Sequence, residues 1–211
     1  MLYHLLYPLS SEIAVFNVFR YITFRSVWAL LTALIITIVV GPMFIRLLQR
    51  IKFGQYVHED VKAHLQKSGT PTMGGVLIAF SLVVSVLLWA DLTNAHVWLI
   101  LYVFLGFGTV GFFDDYLKIL RRNNKGLSPK AKLLGQLVVS ISALIFLYFI
   151  RQDIEATRVL AEGEELVKFT QLSVPFFKTF VPDLGWFYLP FAVAVPVGPS
   201  NGVTLTHRLA G

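Results

Sequence analysis

The chain has 211 residues, 56% of them hydrophobic and only 14% charged, with a mean hydropathy of +0.70. Soluble domains carry about 25% charged residues, so this balance excludes an ordinary soluble fold and points to an integral membrane protein. Cysteine is absent, which excludes disulfides and thiolate metal sites, and the five histidines, His4, His58, His64, His96 and His207, show no HExxH or related ligand spacing.

A net charge of +6 and a pI near 9.6 would suit a nucleic-acid partner, but the basic residues lie in short loops between apolar runs, so none is expected. Residues 1–20 lack the basic n-region and small-residue cleavage site of a signal peptide. The apolar stretch 13–19 is too short to span and predicts an interfacial helix. No charge occurs over 27–45, which sets a first span at 24–45 with Pro42 near its exit. The loop 46–67 holds Arg46, Arg50, Lys52, Lys62 and Lys67 against Glu59 and Asp60, an excess that marks it as cytoplasmic. A second uncharged run gives a span at 72–90, and the turn 91–96, free of basic residues, belongs outside. The third span, 97–113, returns to the cytoplasm at Asp114-Asp115, followed by Lys118, Arg121, Arg122, Lys125, Lys130 and Lys132. Eleven of the eighteen basic residues thus fall on one side, five in the first loop and six in the second. A fourth span is expected at 133–150, an external loop of mixed charge at 151–183, and a fifth span at 184–203, kinked by Pro190, Pro196 and Pro199. The fold class is all-α, a polytopic transmembrane helix bundle.

Gly106-Phe107-Gly108-Thr109-Val110-Gly111 matches the G-x-G-x-x-G fingerprint letter for letter. That fingerprint needs a preceding strand and a βαβ unit, whereas this run lies inside an apolar span, where small residues let neighbouring helices approach. His58 and His64 flank Glu59 and Asp60 at a spacing that fits neither helix-face nor turn ligation, so a solvated loop is expected there. Lys67 precedes Gly69-Thr70-Pro71-Thr72-Met73-Gly74-Gly75, where backbone amides and threonine hydroxyls can seat phosphate oxygens. The strongest constellation is Gly111-Phe112-Phe113-Asp114-Asp115-Tyr116. Adjacent carboxylates repel each other and resist desolvation at the end of an apolar run, so something must stabilise them. If the helix continues, Lys118 stands four residues from Asp114 and three from Asp115, within reach of both. Such acids can hold Mg²⁺ or remove a proton while lysines offset phosphate charge.

On these residues the chain resembles the polyprenyl-phosphate N-acetylhexosamine-1-phosphate transferases, and within them the branch of bacterial peptidoglycan synthesis. The resemblance rests on Phe24-Arg25, on Lys67 to Gly75, on Gly111 to Tyr116, on Lys125-Gly126-Leu127 ahead of Lys130 and Lys132, and on Val174-Pro175-Phe176-Phe177-Lys178. It implies a chain of ten spans, of which about five are present here, so that residues 1–211 form the N-terminal part of a single membrane transferase domain. It further implies transfer of phospho-MurNAc-pentapeptide from its UDP carrier to undecaprenyl phosphate, giving lipid I and UMP, with Mg²⁺ as cofactor. The setting implied is the bacterial inner membrane, multi-pass, with the active side cytoplasmic and a homodimer admitted. By position, Asp114 and Asp115 take the catalytic acidic pair and the metal ligands, acting as nucleophile or as base. Lys67, Thr72, Lys118, Lys130, Lys132 and Asn201 take contacts to substrate.

The resemblance departs at the end. The family reads Asn-x-x-Asn-Leu-Thr-Asp-Gly-x-Asp-Gly where this chain reads Asn201-Gly202-Val203-Thr204-Leu205-Thr206-His207-Arg208-Leu209-Ala210-Gly211. Thr204, His207, Arg208 and Ala210 each differ from the family residue by one purine-to-cytosine change, the pattern of an error-prone read. The expectation is therefore a partial chain with an altered end, inactive by itself. Two alternatives stay open: a related transferase using another UDP-HexNAc, and a truncated membrane protein without activity.

Overall fold

The computed structural model describes residues 1–50, 74–121, 126–159, 169–172 and 181–210, with the backbone alone at 49, 152–159 and 203–210. The predicted loop 46–67, Lys67, Thr72, Lys125 and the segment Val174 to Lys178 accordingly lie wholly or mostly outside the described residues. Among the described residues six α-helices follow in order: α1 (Leu2–Leu6), α2 (Ile22–Arg50), α3 (Gly74–Trp89), α4 (Ala95–Leu120), α5 (Pro129–Val159) and α6 (Tyr188–Ala210). Beyond a bridge between Gln171 and Asp183, no strand pairing occurs among the described residues. An all-α bundle is what an apolar chain must form in lipid, because a helix satisfies its own backbone N–H and C=O groups.

Ile22–Leu48, Ala95–Leu120 and Pro129–Arg151 are long and apolar enough to cross a membrane. α3, with 16 residues, is shorter than the roughly 20 that a span needs, and it begins where the described residues resume. α6 runs on through Pro196 and Pro199. The stretch 13–19, expected as an interfacial helix, forms a 3₁₀ helix at Ala14–Arg20, and a shorter 3₁₀ segment, Pro8–Ser11, precedes it. They are separated by the extended backbone of Ile13, at φ −126° and ψ 103°.

The chain divides into two compact units, Met1–Lys132 and Leu133–Gly211. In the first, α2 packs on α3 along a seam of hydroxyls. Thr37 Oγ1 donates to Ser81 Oγ at 3.1 Å, and Ser81 and Ser85 are buried, each bonded to the carbonyl four residues back. Hydrogen bonds of this kind between membrane helices are worth about 0.6 kcal/mol on average. Gly41 lies on this seam, where a Cβ would stand 3.6 Å from Leu77 Cδ2, an ordinary contact, so the approach does not depend on glycine there. At the other end of the seam Trp89 stacks on Phe19 and Trp28, with centroids 6.0 and 5.8 Å apart, and its Nε1 donates to Thr32 Oγ1.

The turn from α3 to α4 is held by its own side chains. Asp91 Oδ1 accepts from the Thr93 hydroxyl at 2.6 Å and amide at 3.1 Å, and Asn94 caps α4 by accepting from the His96 amide at 2.9 Å. One turn donor, the Thr93 amide, and one helix-starting donor, the His96 amide, are thereby satisfied locally.

In the second unit, Gln136 on α5 is 1% exposed although it lies in an uncharged run. Its amide bridges to α6, accepting from Asn201 Nδ2 at 2.6 Å and donating to Ser200 Oγ at 3.1 Å. Toward the far end of this unit Phe169 packs edge-on between Tyr148 and Tyr188. Gly185 precedes α6 at φ +48°, a left-handed conformation that favours glycine.

Candidate active site

α4 does not end where its charge-free stretch ends. Nothing in Phe112-Phe113-Asp114-Asp115-Tyr116-Leu117-Lys118 breaks a helix, and the helix runs on to Leu120, where the Arg121 amide bonds the Leu117 carbonyl. The i+3 and i+4 spacing then acts as predicted. Lys118 Nζ lies 2.8 Å from Asp114 Oδ2 and 2.8 Å from Asp115 Oδ1, so one cation bridges both acids. Carboxylates near a helix C-terminus face the negative end of its dipole, which makes such a cation more necessary.

The two acids are not equivalent. Asp114 is 14% exposed and Asp115 35%. The other oxygen of Asp114, Oδ1, accepts from the Leu127 amide at 2.7 Å. Lys132, in the first turn of α5, brings a further positive charge to bear on Asp114. Asp115 instead lines a groove of about 410 Å³, walled by α3 and α4, with Gly75, Ala79, Gly108, Gly111 and Phe112 among its lining. The G-x-G-x-x-G run therefore lies within a helix, as expected. Its Gly108 and Gly111, read as places of helix approach, meet nothing within 4 Å among the described residues and open the groove instead.

Of the residues singled out from sequence, Asp114, Asp115 and Lys118 meet directly, with Lys132 nearby. Lys130 is exposed in the first turn of α5. Asn201 lies in the second unit, where its amide donates to Gln136 and to the Val197 carbonyl. Sequence reasoning passed over two features. The Leu127 amide and the glycine before it entered only as letters of a shared motif, since a main-chain donor leaves no mark in composition. Gln136 was hidden because an uncharged run was read as uniformly apolar.

Fold and site together define a polytopic membrane protein with a bridged acidic pair at the end of one apolar helix. Residues 67–78 match a family model described as phospho-N-acetylmuramoyl-pentapeptide-transferase signature 1. Along its whole length the chain is similar to curated proteins named phospho-N-acetylmuramoyl-pentapeptide-transferase. It is 57% identical to the one from Oleidesulfovibrio alaskensis over 211 residues, and 58% identical to that from Maridesulfovibrio salexigens over 212. In both cases the match takes in 100% of this chain and 55% of the relative, so the chain spans about half the length of these relatives. By these matches the chain belongs to the phospho-N-acetylmuramoyl-pentapeptide-transferase family.

Proposed function

We propose that this chain carries part of the catalytic centre of a transferase that moves phospho-MurNAc-pentapeptide from UDP to undecaprenyl phosphate. An oxygen of the lipid phosphate bonds to the sugar-linked phosphorus, the bond from that phosphorus to UMP breaks, and lipid I and UMP result. The observation that carries the proposal is the Asp114–Lys118–Asp115 bridge at the end of α4. A membrane-length helix ending in two acids and a cation sits where a charged headgroup would meet a lipid tail. Asp114 and Asp115 act as the catalytic pair, and Lys118, Lys132 and Lys130 offset phosphate charge. The names of the relatives support this choice of donor, as does the signature match over Lys67 and Thr72, which we assign to substrate binding with Asn201.

The donor set fits Mg²⁺. Carboxylate oxygens are the hard ligands that ion prefers, and the pair already holds one cation, the Lys118 ammonium, between them. No group of three or more His, Asp or Glu gathers among the described residues. Asp114 and Asp115 would thus hold the ion with waters and substrate phosphates completing its shell. When bound it neutralises charge developing on the phosphoryl oxygens.

The active side is cytoplasmic, the side on which basic residues concentrate. In intact cells Thr93→Cys should react with a membrane-impermeant thiol reagent and Ala131→Cys should not; the reverse would overturn this orientation. To assay transfer, the full chain is joined to the part of the Oleidesulfovibrio alaskensis relative that it does not match. Thr204→Asn, His207→Asp, Arg208→Gly and Ala210→Asp restore the family motif. This extended chain should release UMP from UDP-MurNAc-pentapeptide only with undecaprenyl phosphate and Mg²⁺ present. Equal release from UDP-GlcNAc would favour a related transferase, and no release from either donor would reject the proposal.

A further inference from the structure

The bond from the Leu127 amide to Asp114 joins groups 13 residues apart, and it requires the chain beyond α4 to come back against the helix end. The closeness of that return is set at Gly126. A Cβ built on Gly126 would overlap Asp114 Oδ1 and stand 2.8 Å from the Asp114 carbonyl oxygen and 2.9 Å from Cγ. A carboxylate can swing away from an intruding methyl group, but the carbonyl belongs to the helix backbone and cannot move without loosening α4. Any side chain at 126 therefore forces the segment off the helix, and the Leu127 amide goes with it. Of its two bonds the carboxylate then keeps the one to Lys118, a long side chain that Asp115 also holds, with Lys132 acting on it by charge alone. Two donors on opposite oxygens fix the orientation of a carboxylate, whereas one flexible ammonium shared with a neighbour does not.

We propose that Gly126 is a positioning residue: its missing side chain lets the Leu127 amide clamp Asp114 in its working orientation. Resting on the transferase reading above, this adds a residue that touches no substrate and acts only through Asp114.

Two arms test it. In the purified 211-residue chain, hydrogen exchange at the Leu127 amide reads the clamp without any activity. Asp114→Ala and Gly126→Ala should each speed that exchange at least about tenfold, while the Ile141 amide inside α5 stays protected. Exchange at Leu127 unchanged by both variants would overturn the proposal. In the extended chain, Gly126→Ala should lower kcat for UMP release about tenfold or more with KM for the donor within about twofold. The effect should vanish when Asp114 is already Asn, because a residue acting only through Asp114 has nothing further to lose. A loss in Gly126→Ala that adds in full to that of Asp114→Asn marks a merely structural glycine and overturns the proposal, as does full turnover in Gly126→Ala. If the extended chain without these variants releases no UMP, the transferase reading fails, and the exchange arm alone decides whether the clamp exists.

Discussion

α4 has a carboxylate near each end, and the two are held in different ways. Asp91, before the helix, is bonded by Thr93, two residues on, and lies 3.3 Å from the His4 ring. Its bonds from Thr93 make a turn ahead of the helix start and serve the local backbone, while His4 ties that turn to the N-terminal segment. At the other end two acids share one lysine, and Asp114 draws its second bond from a residue 13 positions away. A carboxylate that needed only to end a helix would reach water. Instead Asp114 is the less exposed of the pair and is fixed from two sides, while Asp115 is turned to a groove. The contrast separates an acid that shapes a turn from acids arranged around a place for a cation.

Removing the shared cation should give a large effect. Lys118→Met leaves two adjacent carboxylates without the ammonium that bridges them and removes the charge proposed above to offset substrate phosphate. UMP release by the extended chain should fall about a hundredfold, the order seen when a key electrostatic group is lost. The same assay on Arg121→Met, just past the helix end, should change by less than about threefold, since Arg121 is exposed and its amide, not its side chain, caps α4. Similar losses in both would mean that positive charge in general, not the bridge, is what the site requires.

The sequence made this corner legible because charge stands out in an apolar chain and helical spacing fixes which charges can pair. It showed the helices for the same reason, the described part of each predicted span being α-helical apart from Ala90 and residues 184–187. What it did not show are neutral contacts. The Leu127 amide carries no letter of its own, and the closeness of Gly126 to Asp114 depends on a chain return that no local pattern encodes. Gln136 was missed because it is uncharged, yet its burial beside Ser200 and Asn201 makes it the polar link between α5 and α6. The stretch expected as an interfacial helix is wound as a 3₁₀ helix at Ala14–Arg20 after an extended Ile13, a difference of helix type that hydropathy does not register.

A second, smaller effect concerns that link. Gln136→Leu keeps the bulk and removes both bonds, leaving the Asn201 amide without this acceptor. The second unit should lose about 1 to 2 kcal/mol, in line with paired hydrogen bonds between membrane helices. Denaturant unfolding in mixed micelles measures it. An unchanged midpoint would show that the Gln136 amide contributes nothing to packing of α5 on α6.

The smallest effect belongs to Asp91. Burial pushes the Asp91 carboxyl up, but hydrogen bonds from the Thr93 hydroxyl and amide, with the His4 and Arg25 charges, outweigh it and leave the group below its ordinary value of 3.8. A depressed carboxyl stabilises the fold above its unfolded-state value, and the contribution disappears as pH falls through the folded-state value. Asp91→Asn should therefore lower the melting midpoint by about 1 to 2 °C at pH 7, and the difference should shrink below about pH 4. A difference that grew on acidification would contradict this sign.

The central claim is that the acids at one end of α4 work on a ligand while the acid at the other end only shapes the chain. UMP release by the extended chain, compared across Asp91→Asn, Asp114→Asn and Asp115→Asn at equal membrane content, tests it most directly. Asn keeps the shape of the side chain and removes its charge. Turnover should fall at least about a hundredfold in Asp114→Asn and in Asp115→Asn and stay within about twofold in Asp91→Asn. Near-parental turnover in both Asp114→Asn and Asp115→Asn, or an equal collapse in Asp91→Asn, would contradict the account.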